Sequence, residues 1–256
     1  MSKLFDTHAH YTDERLYGNS ALLDEIFAGD VGYIACVASD VSDSRKCIEL
    51  AEKYPNMYAT AGIHPHECEK LTDIDADMAA IEELARHNKV VAIGEIGLDY
   101  HYDKEWEQKQ KEYFEAQLDL AEKLDMPVII HDRDAHGDVF DILRAHKKSR
   151  GIIHSCSESA DTVKEYVKMG WYISFSGVIT FKNASKILDA VKATPLDRIL
   201  VETDCPYLSP VPMRGRDNSS AYLHFTAEKA AEVLGVEYDE FVRVSTENAL
   251  RVYGIL

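Results

Sequence analysis

The feature that most constrains this chain is a regular alternation. Eight apolar runs of strand length are Leu4–Thr7, Tyr33–Val37, Tyr58–Ala61, Val90–Gly94, Val128–Ile130, Gly151–Ile153, Tyr172–Phe175 and Ile199–Val201. Between them lie segments whose apolar residues recur at the helical period. In Glu105–Leu124, for example, Tyr113, Phe114, Leu118, Leu120, Ala121 and Leu124 form one stripe, with Glu107, Lys109, Lys111 and Glu122 opposite. Ala135–His146, Ala160–Met169 and Ala184–Ala193 repeat the pattern. Eight β-then-α units in a chain of 256 residues predict an α/β fold, the (β/α)8 TIM barrel. A doubly wound open sheet is the alternative. No glycine-rich phosphate fingerprint follows the first strand, which counts against its dinucleotide-binding form. A last helix, Glu237 to Tyr253, is expected to pack outside the barrel. No linker, low-complexity segment or repeat divides the chain, so residues 1–256 are read as one domain.

The ends of the predicted strands carry the chemistry. The first strand runs into His8 and His10, which point the same way because strand side chains alternate faces. The fourth runs into Glu95, the fifth into His131, the sixth into His154 and the eighth into Asp204. A parallel barrel gathers these C-terminal ends on one rim, where barrel enzymes place their active sites. A buried imidazole or carboxylate needs a partner, because burying a polar group unpaired costs several kcal/mol. Six such side chains exceed what one tetrahedral zinc takes. They suit two divalent ions about 3.5–4 Å apart with a bridging carboxylate. Mixed imidazole and carboxylate donors admit Zn²⁺, Mn²⁺ or Fe, and Mg²⁺ where water completes the shell. Such a pair supplies hydroxide near neutral pH, which is hydrolysis chemistry.

Charge and cysteine content narrow the setting. A net charge of −17 argues against broad, non-specific adhesion to nucleic acid, though not against a local site. Asp73, Asp75 and Asp77 read as a helix start, and Lys147, Lys148 and Arg150 as the solvated end of another. Five scattered cysteines without a CxxC pair point to a reducing cytosol. With no secretory start and no spanning run, a soluble cytoplasmic protein is expected.

Specific stretches then point to a family. They are Asp6-Thr7-His8-Ala9-His10, Gly62-Ile63-His64-Pro65-His66, Gly94-Glu95-Ile96-Gly97-Leu98-Asp99-Tyr100 and His131-Asp132-Arg133-Asp134-Ala135. Further along come Tyr172-Ile173-Ser174-Phe175-Ser176-Gly177, Glu202-Thr203-Asp204-Cys205-Pro206-Tyr207-Leu208 and Pro210-Val211-Pro212-Met213-Arg214-Gly215. In this order the chain resembles the TatD family of metal-dependent hydrolases, within the amidohydrolase-type barrels. The resemblance implies one ion on His8, His10, Glu95 and Asp204, and another on Glu95, His131 and His154, with Glu95 bridging. It implies two divalent ions (Mg, Zn or Mn), and a 3′→5′ exodeoxyribonuclease acting on single-stranded or frayed DNA ends. The alternative is hydrolysis of another ester or amide on the same site, such as a small phosphodiester or a D-aminoacyl-tRNA.

Asp204 is expected to take a proton from the attacking water. His64, His66, Arg133 and Arg214 are candidate substrate contacts. Tyr100 and Tyr207 are candidates for base stacking, and Asp99 for orienting a ligand. No membrane contact and no obligate protein partner are inferred. Two stretches depart from the family pattern: His154-Ser155-Cys156-Ser157-Glu158, and Ser219-Ser220 after Arg216-Asp217-Asn218. Both bear on substrate choice more than on the metal ligands.

Overall fold

The computed structural model describes residues 2–101 and 105–255. Strands and helices alternate through the chain. They run β1 (Leu4–Ala9), α1 (Ser20–Ala28), β2 (Val31–Cys36), α2 (Val41–Lys53), β3 (Met57–Ala61), α3 (Ile74–Ala85), β4 (Val90–Asp99) and α4 (Glu107–Leu124). Then follow β5 (Val128–Arg133), α5 (His136–Ala145), β6 (Gly151–Ile153), α6 (Ala160–Lys168), β7 (Tyr172–Phe175) and α7 (Ser185–Ala193). The chain finishes with β8 (Ile199–Val201), α8 (Leu223–Leu234) and α9 (Tyr238–Val252). The strands follow one another in chain order in a single sheet, the topology of a (β/α)8 barrel. Among the described residues no helix is long and apolar enough to cross a membrane.

By contact density the chain divides into two compact units, Met1–Cys36 with Ser155–Leu256, and Val37–His154. In the first, β1 pairs in parallel with β2, and β7 with β8 in the register Ile173↔Ile199 to Phe175↔Val201. Ala9 at the end of β1 forms a parallel bridge with Cys205, just past β8. The last helix packs on β1 and β8, as expected. The Tyr253 hydroxyl donates to the Thr7 carbonyl at 2.7 Å, and the Asn248 amide donates to the carbonyls of Leu196 and Ile199. Phe5 meets Tyr253 with ring centroids 5.5 Å apart, sealing that layer.

In the second unit β3, β4, β5 and β6 pair in parallel in that order. Side-chain caps start α2 and α3: Asp40 accepts from the Asp43 N–H, and Asp73 from the Ala76 N–H. Asp75 and Asp77 fill the first turn of α3, where carboxylates complement the helix dipole. β4 is irregular, with a register shift against β5 between Ile93 and Ile96. Gly97 lies at φ 143°, opposite His131, and a Cβ there would collide with the His131 carbonyl. Only glycine lets the two strands approach at this point.

Two differences from the sequence reading have a common cause. β1, β4 and β5 run on through His8, Glu95 and His131, so these side chains lie within strands and not just past them. Polar residues interrupt the apolar run, but the backbone ladder between β4 and β5 continues to Asp99↔Arg133. On α4 the buried face includes Gln110 and Gln117 as well as the apolar stripe. Gln117 accepts from the Ile63 N–H and donates to the Ile63 carbonyl. Gln110 does the same with both backbone groups of Asp99. Each amide substitutes for a missing strand neighbour, which a periodicity argument does not anticipate.

Candidate metal centre

The first cluster forms where β1 ends beside the turn after β8. Two backbone bonds zip these segments together. The Asp204 N–H donates to the His8 carbonyl at 2.9 Å, and the His10 N–H donates to the Cys205 carbonyl at 2.7 Å. Asp204 itself sits at φ 57°, in the left-handed region that Asp tolerates better than most residues. That turn aims its carboxylate at the two rings. His8 Nε2 and His10 Nε2 lie 3.1 Å apart. Asp204 Oδ1 is 3.3 Å from His10 Nε2 and 3.7 Å from His8 Nε2.

Beneath these residues lies Asp6, wholly buried. It accepts from the Thr203 N–H at 2.9 Å, from the Thr203 hydroxyl and from the Ser220 hydroxyl. Burial pushes its carboxyl up to about 6, against the lowering effect of those donors. The Tyr11 hydroxyl in turn donates to Ser220 Oγ at 2.8 Å. Sequence reasoning placed Asp6 in a motif without assigning it a task; the signal was its spacing from His8. Glu202, also fully buried, accepts from the Ser155 N–H at 2.8 Å. This fixes the chain at the first departure from the family pattern.

The second cluster gathers around one oxygen of Glu95. His131 Nδ1 lies 2.6 Å from Glu95 Oε1, His154 Nε2 3.2 Å and His64 Nε2 3.9 Å. Glu95 is 3% exposed, so it is a buried carboxylate faced by three imidazoles. His64, a candidate substrate contact by sequence, joins Glu95 and His131 in a set of atoms close enough to share an ion. It is carried by the segment that Gln117 braces. His66, the other candidate substrate contact on this segment, keeps its ring 4.8 Å from that of His64 and meets Asp99 at 2.8 Å. Asp99 Oδ2 also meets His131 Nε2 at 3.1 Å. Burial pushes the Asp99 carboxyl up, but bonds from His131, His66 and the His101 N–H hold it well below the usual carboxylate range. Burial lowers His131, yet the Glu95 charge and its bonds to Asp99 and Glu95 raise it to about 9.

These donor sets fit divalent metal. Two ligand atoms at about 2.0–2.1 Å from one tetrahedral ion stand roughly 3.3 Å apart. The spacings among His8, His10 and Asp204 are of that order. A carboxylate oxygen with three imidazole nitrogens around it is likewise a donor set for Zn²⁺ or Mn²⁺. The support of His131 by Asp99 is the carboxylate–histidine arrangement found behind metal ligands.

Arg133 is exposed at the end of β5, and the Arg214 guanidinium lies 4.0 Å from the Phe181 ring centroid. Tyr100 donates its hydroxyl to Asp138 at 2.7 Å. The Tyr207 ring is 6.1 Å from that of His10, edge to face.

A family model described as TatD related DNase matches residues 5–254. The chain belongs to the TatD family. It is 42% identical to an uncharacterized metal-dependent hydrolase of Bacillus subtilis, YabD, over 98% of this chain and 99% of that protein. It is 37% identical to another, YcfH of Escherichia coli K12, over 98% and 96%. The crystal structure of YJJV, a TatD homolog from Escherichia coli K12, superposes with a TM-score of 0.93 at 29% identity, covering 99% of this chain and 98% of that one. The TatD-family chain is therefore a metal-dependent hydrolase on an amidohydrolase-like (β/α)8 barrel. An amidohydrolase from Bifidobacterium longum, at 14% identity and a TM-score of 0.60, shares the fold alone.

Proposed function

We propose that this hydrolase is a 3′→5′ exodeoxyribonuclease acting on single-stranded or frayed DNA ends. The observation that carries the reading is the convergence of three imidazoles on Glu95 Oε1, together with the separate His8–His10–Asp204 set. Two divalent ions, Mg²⁺, Zn²⁺ or Mn²⁺, held by these residues would supply Lewis acidity and a water of lowered pKa. The chain's own groups do the rest. Asp204, pointed by its left-handed backbone, accepts the proton of the attacking water. Asp99 fixes the ring of His131 and stays ionised, so the ring keeps one orientation. Arg133 and Arg214, both exposed, are the candidates for holding phosphate oxygens.

The preference for DNA is supported by the family description, TatD related DNase. The preference for an end follows from charge: at −17 the chain gains little from tracking a long polyanion. The same charge favours a second reading, a hydrolase of a small phosphodiester or of a D-aminoacyl-tRNA ester.

The test is a closed circular single strand beside a linear strand of the same sequence, with the 3′ end free or blocked, given to metal-loaded protein. The linear strand with a free 3′ end should be shortened and the circle left intact. Cutting the circle as fast as the linear strand would end the exonuclease reading.

A further inference from the structure

We propose that Tyr207, clamped by Asp13 and Arg15, is the platform on which a nucleobase stacks beside the His8–His10–Asp204 cluster. The inference rests on the phosphodiester reading above and adds what holds the nucleoside. Among the described residues four large apolar side chains are exposed: Tyr17, Met169, Tyr207 and Val211. Two of them lie in the segment just after Asp204. Tyr207, at 48%, shows half its surface to water, yet it is held at three places. Its N–H donates to the Asp204 carbonyl at 2.9 Å. Its hydroxyl donates to Asp13 Oδ2 at 3.0 Å. The Arg15 guanidinium lies 4.5 Å from its ring centroid.

The clamp is tied to the ligand segments at both ends. The Asp13 N–H donates to the His10 carbonyl at 3.1 Å, and the Asn218 amide donates to the Tyr207 carbonyl at 2.7 Å. Arg15 grips Asp13 through Nε and Nη2, both at 2.8 Å, and its Nη1 is 3.7 Å from Asp217. The guanidinium charge is thus already met by carboxylates. This makes Arg15 a poor phosphate hook and a good backing for a ring. Burial does not explain the arrangement, because an aromatic fixed this firmly and left half in water gains little from the hydrophobic effect. A rigid aromatic face is what a base needs, and stacking tolerates any base because each has a π-face. With the His10 ring edge-on at 6.1 Å, a stacked nucleoside lies within a nucleotide's length of the ligand cluster.

Binding can be read without turnover. Calorimetry on the metal-loaded full chain compares thymidine 5′-monophosphate with 2-deoxyribose 5-phosphate, which lacks the base. The wild type should bind the nucleotide roughly tenfold more tightly, the contribution of one stacked base. Tyr207→Leu should abolish that ratio. Tyr207→Trp should restore it; loss of the ratio in both Leu and Trp variants would mark a merely structural role for the hydroxyl and overturn the platform. Equal binding of the two probes by the wild type would also overturn it. A base preference that Tyr207→Leu removes, in a protein that cleaves no DNA, leaves the platform standing and sinks the nuclease reading. Cleavage of linear DNA with no base preference does the reverse.

Discussion

In the cluster at the end of β1, the supporting carboxylate holds backbone. Asp6 accepts from the Thr203 N–H and from two hydroxyls, and lies 3.4 Å from the His8 N–H. It sets where His8 and Asp204 stand by locking the segments that carry them. In the cluster around Glu95, the supporting carboxylate holds rings. Asp99 meets His131 at 3.1 Å and His66 at 2.8 Å, while its own backbone is braced by Gln110. One cluster is built by fixing the chain, the other by fixing side chains. Backbone support is paid back in rigidity, whereas ring support tunes the electronic character of a ligand directly. Perturbing the two supports should therefore fail in different ways, and the comparison can be broken at several depths.

The deepest cut is Glu95→Ala. It removes the oxygen on which three imidazoles converge and leaves them without their shared anion. Activity should fall on the order of a thousandfold, equivalent to several kcal/mol of lost transition-state stabilisation. His10→Ala removes one donor from the other cluster and should leave part of the metal bound. If Glu95 bridges, as the family resemblance implies, its variant loses both ions by metal analysis. Equal metal content and equal activity in the two variants would remove Glu95 from that position.

A subtler contrast comes from the supports. Asp99→Asn keeps the shape but takes away the charge behind His131, and should weaken metal binding by about 10–100-fold with little change in melting temperature. Asp6→Ala strips the acceptor from the buried hydroxyls of Thr203 and Ser220, and should cost about 3 kcal/mol of stability. Its metal affinity should fall only as far as the fold loosens. Thermal melts and metal titrations on both variants decide it. Should Asp6→Ala melt like the wild type while metal binding collapses, the distinction between the two supports is wrong.

How much of this was legible in the sequence follows the same division. β6, β7 and β8 match their predicted bounds because no ligand interrupts their apolar runs. The apolar runs of β1, β4 and β5 end before the strands do, because His8, Glu95 and His131 sit inside them. The His8–His10 pairing was readable from strand alternation alone, and their Nε2 atoms do meet. The place of His64 beside Glu95 is not legible, since nothing local shows the 3-10 turn, Pro65–Lys70, that follows it under the brace of Gln117. Asp6, Gln110 and Gln117 escaped assignment for one reason. The backbone groups they hold lie 11 residues away for Gln110, 54 for Gln117 and 197 for Asp6, and no local pattern announces such a partner.

The last effect expected is one of pH, and it belongs to the ring-supported cluster. In the metal-free protein the His131 imidazole is raised to about 9: burial lowers it, and the Glu95 charge and the bonds to Asp99 and Glu95 more than reverse that. A histidine raised on folding stabilises most fully below its unfolded value near 6.5, and that contribution is lost as pH rises through 9. The metal-free protein should therefore lose stability between about pH 6.5 and 9. Metal uptake runs the opposite way. An ion takes an imidazole nitrogen only after the proton has left, so binding at this cluster releases a proton below pH 9. Apparent affinity there should climb by up to tenfold per pH unit and level off near 9. In Asp99→Asn one of the groups holding the proton is gone, so the plateau should begin at lower pH. Calorimetry in two buffers of different ionisation enthalpy counts the released protons directly. No proton release and a flat affinity across that range would mean that His131 is already neutral, and that Asp99 orients the ring without charging it.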